Sequence, residues 1–456
     1  MQLTASRIVA EYRRRTPESE KLAARARDTF PSGITHDARY LEPYPVYIER
    51  ADGSRKWDVD GNEYVDYLGG HGALLFGHNH PTITGAVSKQ LALGTHFGSC
   101  HELELRWGEL VRQLVPSAKR VRFTNSGTEA TLLAFRLARA HTGRSKIIRF
   151  VTNFHGWQDH VSFGVASHED GTPTPGVLEA IAENIILSPP GDLSAVQRLL
   201  DQRDDIAAII LEPTGASWGQ IPIPESFLHG LYEAARKHEV VLIFDEVISG
   251  FRCSPGGAQA YFGITPDMTT LAKILAGGYP GGAVAGRRDI MDWLDHSTSN
   301  SAGREKITHH GTFNANPISA AAGIAALEMV AETDACDRAN RYAADLRERL
   351  RETLRDAHVK WSVYGTFSGF HIFTNSDQEE IAEGDLIAPN FDYRKVKQSS
   401  RSELSKKLRL GMLAHGVDIF AWPGGPTSAI HNTDDMERTV EAFRETLRIM
   451  KDEGDV

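Results

Sequence analysis

A chain of 456 residues is long enough for two domains around a large core, and 41% hydrophobic with 24% charged residues is the composition of a globular protein. Acidic residues outnumber basic ones by 60 to 50, and the net charge of −10 argues against a nucleic-acid or anionic-membrane surface. The three cysteines, Cys100, Cys253 and Cys336, are scattered and odd in number, which excludes a disulfide framework or a zinc cluster. No apolar run approaches the roughly 20 residues of a membrane span, and Met1–Thr4 lacks a charged-then-apolar leader pattern, so a soluble cytoplasmic protein is expected.

In chain order, Thr16 before Pro17 and Glu18 predicts a helix start with a capping hydroxyl, and Pro31-Ser32-Gly33 predicts its end. Val46 to Tyr67 alternates strand-like pieces with the turns Asp52-Gly53 and Asp60-Gly61-Asn62, which predicts a small antiparallel meander. From Gly69 the texture changes to short apolar runs separated by helical patterns, the sign of a parallel sheet built from βαβ units. Its expected core strands are Val121–Thr124, Ile147–Val151, Ile206–Leu211, Val240–Phe244 and Met268–Ala272. Beyond about residue 330 come helical segments carrying Leu346, Leu350 and Leu354, then a sheet piece beginning at Gly365–Phe370, and Asn375–Ser402 reads as an exposed polar excursion. Met436, Val440, Phe443, Leu447 and Met450 form one stripe of a final helix. The expected organisation is an N-terminal segment, 1–68, that folds with a C-terminal small domain, 331–456, and a large domain, 69–330.

An open α/β sheet places its ligand beyond the C-terminal strand ends, so chemistry should cluster there. Asp245 closes the run Val240–Phe244, and Lys273 follows Met268–Ala272 with Gly277-Gly278 and Gly281-Gly282 behind it. An acid and a lysine so placed suit a cofactor with a cationic ring nitrogen at one end and an aldehyde at the other, which is pyridoxal phosphate (PLP): the lysine makes a Schiff base and the acid keeps the ring protonated. The alternative is a helix-capping aspartate and a solvated lysine. Ser126, Gly127 and Thr128 lie in a turn between a strand and a helix reaching to about His141, where amides and hydroxyls can hold a phosphate at the positive end of the helix dipole, or serve as an ordinary cap. Phe154 and His155 follow another strand end and could touch a cofactor ring or belong to the core; Glu212 closes a third strand and could orient the cofactor or make a structural hydrogen bond.

With these pieces in place the chain resembles the class III pyridoxal-phosphate aminotransferases of fold type I. The resemblance rests on Gly77-His78-Asn79-His80-Pro81, Asn125 to Ala130, Phe154-His155-Gly156, Glu212-Pro213, Asp245-Glu246-Val247 with Gly250-Phe251-Arg252, Lys273, Gly311-Thr312-Phe313 and Asn316-Pro317, which run in the family's order. It implies an α/β fold with a mostly parallel central sheet, Lys273 as Schiff-base lysine and proton shuttle, and Asp245 as pyridinium partner. It further implies Ser126, Gly127 and Thr128 as the phosphate cup, Phe154 and Val247 on the two ring faces, and Thr312 reaching the cofactor phosphate of a second subunit in a homodimer. Phe154 stands where relatives usually carry tyrosine.

Within the family the chain resembles the glutamate-1-semialdehyde aminomutase branch, and inside it the amino-acid aminotransferases of the D-phenylglycine kind, through Gly69-Gly70-His71-Gly72-Ala73, His155-Gly156-Trp157 and Phe367 to His371. Arg39 falls where this branch carries a clamp for the substrate carboxylate, its alternative being a surface arginine. Trp157 and Trp218 could wall an apolar donor, or pack. The aminomutase carries a glutamate near the C-terminal loop where this chain reads Trp422-Pro423-Gly424-Gly425-Pro426-Thr427-Ser428 without an acid, and the switching arginine of many ω-aminotransferases is absent from the same stretch. The expectation is therefore an aminotransferase moving an amino group from an amino acid donor, with aromatic, D- and β-amino acids as the candidates, to a 2-oxo acid. The alternatives are an aminomutase of the glutamate-1-semialdehyde type, or a racemase or decarboxylase on the same fold.

Overall fold

The computed structural model describes residues 6–382 and 384–456. The leader reading at Met1–Thr4 and position 383 of the expected excursion lie outside the described residues. The chain divides into two compact units: one holds the chain up to His80, Asp337–Asp385 and Arg394–Val456, the other Pro81–Cys336 and Leu386–Tyr393.

In the first unit, helices Arg7–Arg15 and Pro17–Thr29 precede the meander. Thr16 does not cap the second helix with its hydroxyl: its Oγ1 donates to Tyr12 O at 2.7 Å, because Thr16 ends the preceding helix. The carboxylate of Asp60 replaces it, accepting from the Glu18 and Ser19 amides at 2.6 and 3.0 Å. The meander is β1 (Ile48–Asp52), β2 (Arg55–Asp58) and β3 (Glu63–Asp66), paired antiparallel in that order.

The second unit is built on seven strands: β4 (Arg120–Thr124), β5 (Lys146–Phe150), β6 (Ile185–Ser188), β7 (Ile206–Leu211), β8 (Val241–Asp245), β9 (Met268–Ala272) and β10 (Gly282–Gly286). Their order is β4-β10-β9-β8-β7-β5-β6, and β10 alone runs antiparallel to its neighbours β4 and β9. Strands β7, β8 and β9 are buried along their whole length, as runs such as Ile-Ala-Ala-Ile-Ile-Leu require in a sheet covered on both faces. The expected strands are present, and β6 and β10 join them. β10 reads Gly-Ala-Val-Ala-Gly, a composition that resembles a loop, yet glycine is needed at its start: a Cβ on Gly282 would lie 2.4 Å from Ser126 O.

The C-terminal portion of the first unit adds β11 (Ser362–Tyr364), β12 (Gly369–Phe373), β13 (Val417–Asp418) and β14 (Gly424–Pro426). β13 lies parallel to β3, so the meander and the C-terminal region share one sheet, while β11-β12-β14 form another. Within Gly365–Phe370 the strand begins only at Gly369, because Gly365 at φ +140° opens a turn. The 375–402 stretch is not exposed throughout: Leu386, Ala388, Tyr393 and Val396 are buried, and Ala388 N donates to Pro222 O at 2.9 Å. Its charged residues hid this anchoring from composition. The last helix, Thr433–Asp452, starts with a reciprocal cap between Asn432 and Asp435 and buries Val440, Phe443, Leu447 and Met450.

Candidate active site

The second unit gathers the chemistry-bearing residues at one edge of its sheet, as strand direction demands. β8 and β9 are neighbours in parallel register, with Asp245 opposite Thr270, so Asp245 and Lys273 emerge from adjacent strand ends. Lys273 opens a short 3-10 turn, Lys273–Ala276, with φ +56°. A non-glycine residue in the left-handed region is uncommon and is held there by its surroundings. Burial lowers the Lys273 amine below the ordinary lysine value, against the opposing charges of Asp245 and Glu212.

Asp245 is buried and fully engaged by donors. Its Oδ2 accepts from His155 Nδ1 at 2.7 Å, and its Oδ1 accepts from Val247 N and Thr270 Oγ1, each at 3.1 Å. His155 is held in turn by Thr131 Oγ1, which donates to the His155 carbonyl at 2.7 Å, while the far nitrogen Nε2 is buried without a partner. Glu212 accepts from three amides: Phe154 and Ser217 at 2.9 and 3.0 Å, and Trp218 at 3.2 Å. Burial raises its carboxyl above the ordinary range, with His155 and these amides opposing.

Ser126 caps the helix Gly127–Thr142, its hydroxyl accepting from Glu129 N at 3.2 Å. The helix is long enough to present a full positive dipole end, and its first amides point out at the turn. The turn is packed closely from both sides. A Cβ on Gly127 would lie 2.8 Å from Val247 Cγ2, and one on Gly156 would lie 2.5 Å from Thr128 Oγ1. The two glycines thus bring the loops after β4, β5 and β8 to one place.

Of the residues singled out in the sequence, Ser126, Gly127, Thr128, His155, Glu212, Asp245, Val247 and Lys273 meet at this edge. Phe154 is tied there by its amide, and the residue is 56% exposed. Trp157 is in the same loop and 80% exposed, whereas Trp218 is buried. Thr312 is exposed on a turn joined to the Ser126 turn by Asn125 Nδ2, which donates to Asn314 Oδ1 at 3.2 Å. Arg39 belongs to the other unit, in the exposed turn Asp37–Arg39, and its Nη1 donates to Thr35 Oγ1 at 2.8 Å.

Sequence reasoning missed Thr270, Thr131 and Asn153, whose Oδ1 accepts from Glu212 N at 2.9 Å. The available signal was a pair of threonines inside the apolar run before Lys273. It also missed that Glu246 is a structural hub, its carboxylate accepting from Ser249, Ala258 and Gln259.

The residues fit pyridoxal phosphate. A desolvated lysine, a buried carboxylate with its partners already set, a side-chain-free turn at a helix N-terminus and an imidazole nitrogen left without a partner are what its aldehyde, ring nitrogen, phosphate and ring substituents need.

The Aminotransferase class-III family model matches residues 37–391. A glutamate-1-semialdehyde 2,1-aminomutase from Methanopyrus kandleri is 39% identical over 442 residues, covering 96% of this chain and 98% of the relative; further curated relatives at 35 to 37% carry the same enzyme name. Among solved structures, an omega-transaminase from Sphaerobacter thermophilus superposes with TM-score 0.84 at 34% identity, covering 95% of this chain and 98% of its own. A transaminase solved with PLP bound gives TM-score 0.85 at 31% identity over 97% of this chain and 99% of its own. The chain belongs to the class III aminotransferase family, a PLP-dependent enzyme of fold type I.

Proposed function

We propose that the chain moves an amino group at Lys273, on a substrate that carries a carboxylate. The observation carrying this reading is the adjacency of Lys273 and Asp245 at the ends of β9 and β8. When bound, the cofactor supplies an aldehyde that exchanges amine partners and a cationic ring that draws electrons from the carbon bearing the amine. The lowered pKa of Lys273 leaves more of it neutral near pH 7, fit to attack an aldehyde and then to carry a proton to and from substrate carbon. Asp245, oriented by His155 and Thr270, holds the proton on the ring nitrogen. Ser126, Gly127 and Thr128 hold the phosphate; Val247 and Phe154 bound the ring; Arg39 clamps the substrate carboxylate, and Trp157 borders the donor. Thr312 reaches the cofactor of a second chain, so the working unit is a homodimer.

Two outcomes share this machinery. The names of the curated relatives favour an intramolecular shift of the glutamate-1-semialdehyde 2,1-aminomutase type over the aminotransferase expected from the sequence. Transfer to a separate 2-oxo acid remains the second reading, because Trp422–Ser428 contains no acid and the two solved relatives above are transaminases.

The test offers purified holoenzyme glutamate-1-semialdehyde alone, and separately a panel of α-, β- and D-amino acids with 2-oxoglutarate or pyruvate. Products are read by mass spectrometry. Isomerisation without an acceptor supports the shift; a new amino acid formed only with an acceptor supports transfer. Turnover of either kind by Lys273→Ala would overturn both.

A further inference from the structure

The first unit contains a cavity of about 390 Å³ between residues 26–48 on one side and β2, β13 and the helix Glu403–Ala414 on the other. Most of its wall is apolar, including Ile34, Leu41, Val46, Leu68 and Leu413. Three buried polar side chains border it: Arg409, Asp418, and Lys56, whose ammonium is already held by Asp66 and Asp418. Arg409 is 7% exposed, and among the described residues its guanidinium makes no hydrogen bond or ion pair; Nε is buried without a partner. Asp418 is 4% exposed; its Oδ2 pairs with Lys56 Nζ at 2.6 Å, and its Oδ1 has no partner.

A largely buried guanidinium without an anion is costly to keep, and a buried carboxylate oxygen without a donor adds to that cost. One ligand satisfies both if it has an anionic fork for Arg409, a donor for Asp418 and an apolar body for the walls. We propose that this cavity binds a free α-amino acid with an apolar side chain. Its carboxylate meets the Arg409 guanidinium, its ammonium meets the Asp418 carboxylate, and its side chain lies among Leu41, Val46 and Leu413. The size suits it, since small-molecule sites begin at about 300 Å³. Arg39 also borders the cavity but is exposed and bonded to Thr35, so the assignment does not depend on it. Nor does it depend on Lys273, and it stands or falls separately from the proposed reaction.

The test uses holoenzyme reduced with borohydride, which fixes the cofactor on Lys273 and removes turnover. Leucine, 4-methyl-2-oxopentanoate and isoamylamine are titrated by calorimetry; the three share one apolar body and differ only in charged groups. One leucine per chain is expected, with the oxo acid and the amine each at least about tenfold weaker, since each lacks one charge-assisted hydrogen bond. Arg409→Met should abolish leucine binding without lowering the melting temperature, because Arg409 has no partner to lose, and Arg409→Lys should restore part of it. Asp418→Asn is the second variant and should erase the preference for leucine over the oxo acid. The assignment is overturned if none of the three ligands binds the reduced enzyme, or if leucine binds the Arg409→Met and Asp418→Asn proteins as it binds the parent.

Discussion

His155 Nδ1 lies 2.7 Å from Asp245 Oδ2, and the other ring nitrogen of His155 is buried without a partner. The carboxylate only accepts, so Nδ1 carries the proton and the imidazole fixes the orientation of Asp245. Replacing His155 with alanine leaves a buried carboxylate short of one donor, a loss of about 1.5–3 kcal/mol for a hydrogen bond to a charged group. Expected is a cofactor affinity about 10- to 100-fold weaker, read by absorbance after dialysis, with His155→Gln intermediate. Retention of cofactor equal to the parent would show that Asp245 needs no such support.

The Ser126 turn depends on a missing side chain across the sheet. A Cβ at Gly282 would stand 2.4 Å from Ser126 O, in the turn after β4, and 2.6 Å from Thr124 Oγ1, at the end of β4. Gly282→Ala should therefore displace the phosphate turn, costing about 1–3 kcal/mol of stability and lowering cofactor affinity. Gly85→Ala, in the helix Pro81–Leu91 with open space around it, is the control and should leave both unchanged or slightly improved. Fluorescence titration of apoenzyme with cofactor separates the two.

Lys56 sits between two buried carboxylates, 2.9 Å from Asp66 and 2.6 Å from Asp418. Burial acts against all these charges, yet the two carboxylates hold the Lys56 amine above its ordinary range, while Lys56 and His78 hold Asp66 below the carboxylate range. Asp66 carries a depressed folded pKa, so its contribution is complete above the ordinary carboxylate range and is lost as pH falls below about 4. Lys56 carries a raised one, so its contribution is present below about 10.4 and is lost as pH rises beyond it. Lys56→Met strands both acids and should cost about 3–5 kcal/mol. Denaturant unfolding at pH 7 measures it, and a loss under about 1 kcal/mol would mean that the network behaves like a surface pair.

Arg149 on β5 is fully buried, with its guanidinium 4.9 Å from the Phe163 ring and all three nitrogens without hydrogen-bond partners. Burial lowers it to about 9. The folded state therefore disfavours its charge, and this penalty fades as pH climbs through that value. Arg149→Met should stabilise the chain at pH 7 by about 1–3 kcal/mol, and the gain in melting temperature should shrink between pH 8 and 10.5. A lower melting temperature for the variant at pH 7 would sink the idea.

The strands that carry the site were legible because each is a short apolar run ending in a chemistry-bearing residue, as with Asp245 after Val241–Phe244 and Glu212 after Ile206–Leu211. Burial on both sheet faces writes itself into composition, and strand ends follow from it. Thr270, Thr131 and Asn153 were not legible, because a buried hydroxyl or amide acquires a role only when a distant segment brings it a partner. β10 was hidden for the same reason: its first glycine, Gly282, answers to Ser126, more than 150 positions away in sequence. The sequence by itself determined the α/β sheet and the Lys273–Asp245 pair, since hydrophobic period and strand-end residues are local properties, and its motifs, in their order along the chain, carried the resemblance to the family. Only the tertiary structure decided which donors set Asp245, that Asp60 caps a helix in place of Thr16, and that Arg409 and Asp418 border one cavity. Those depend on distances between segments far apart along the chain, which no local pattern encodes.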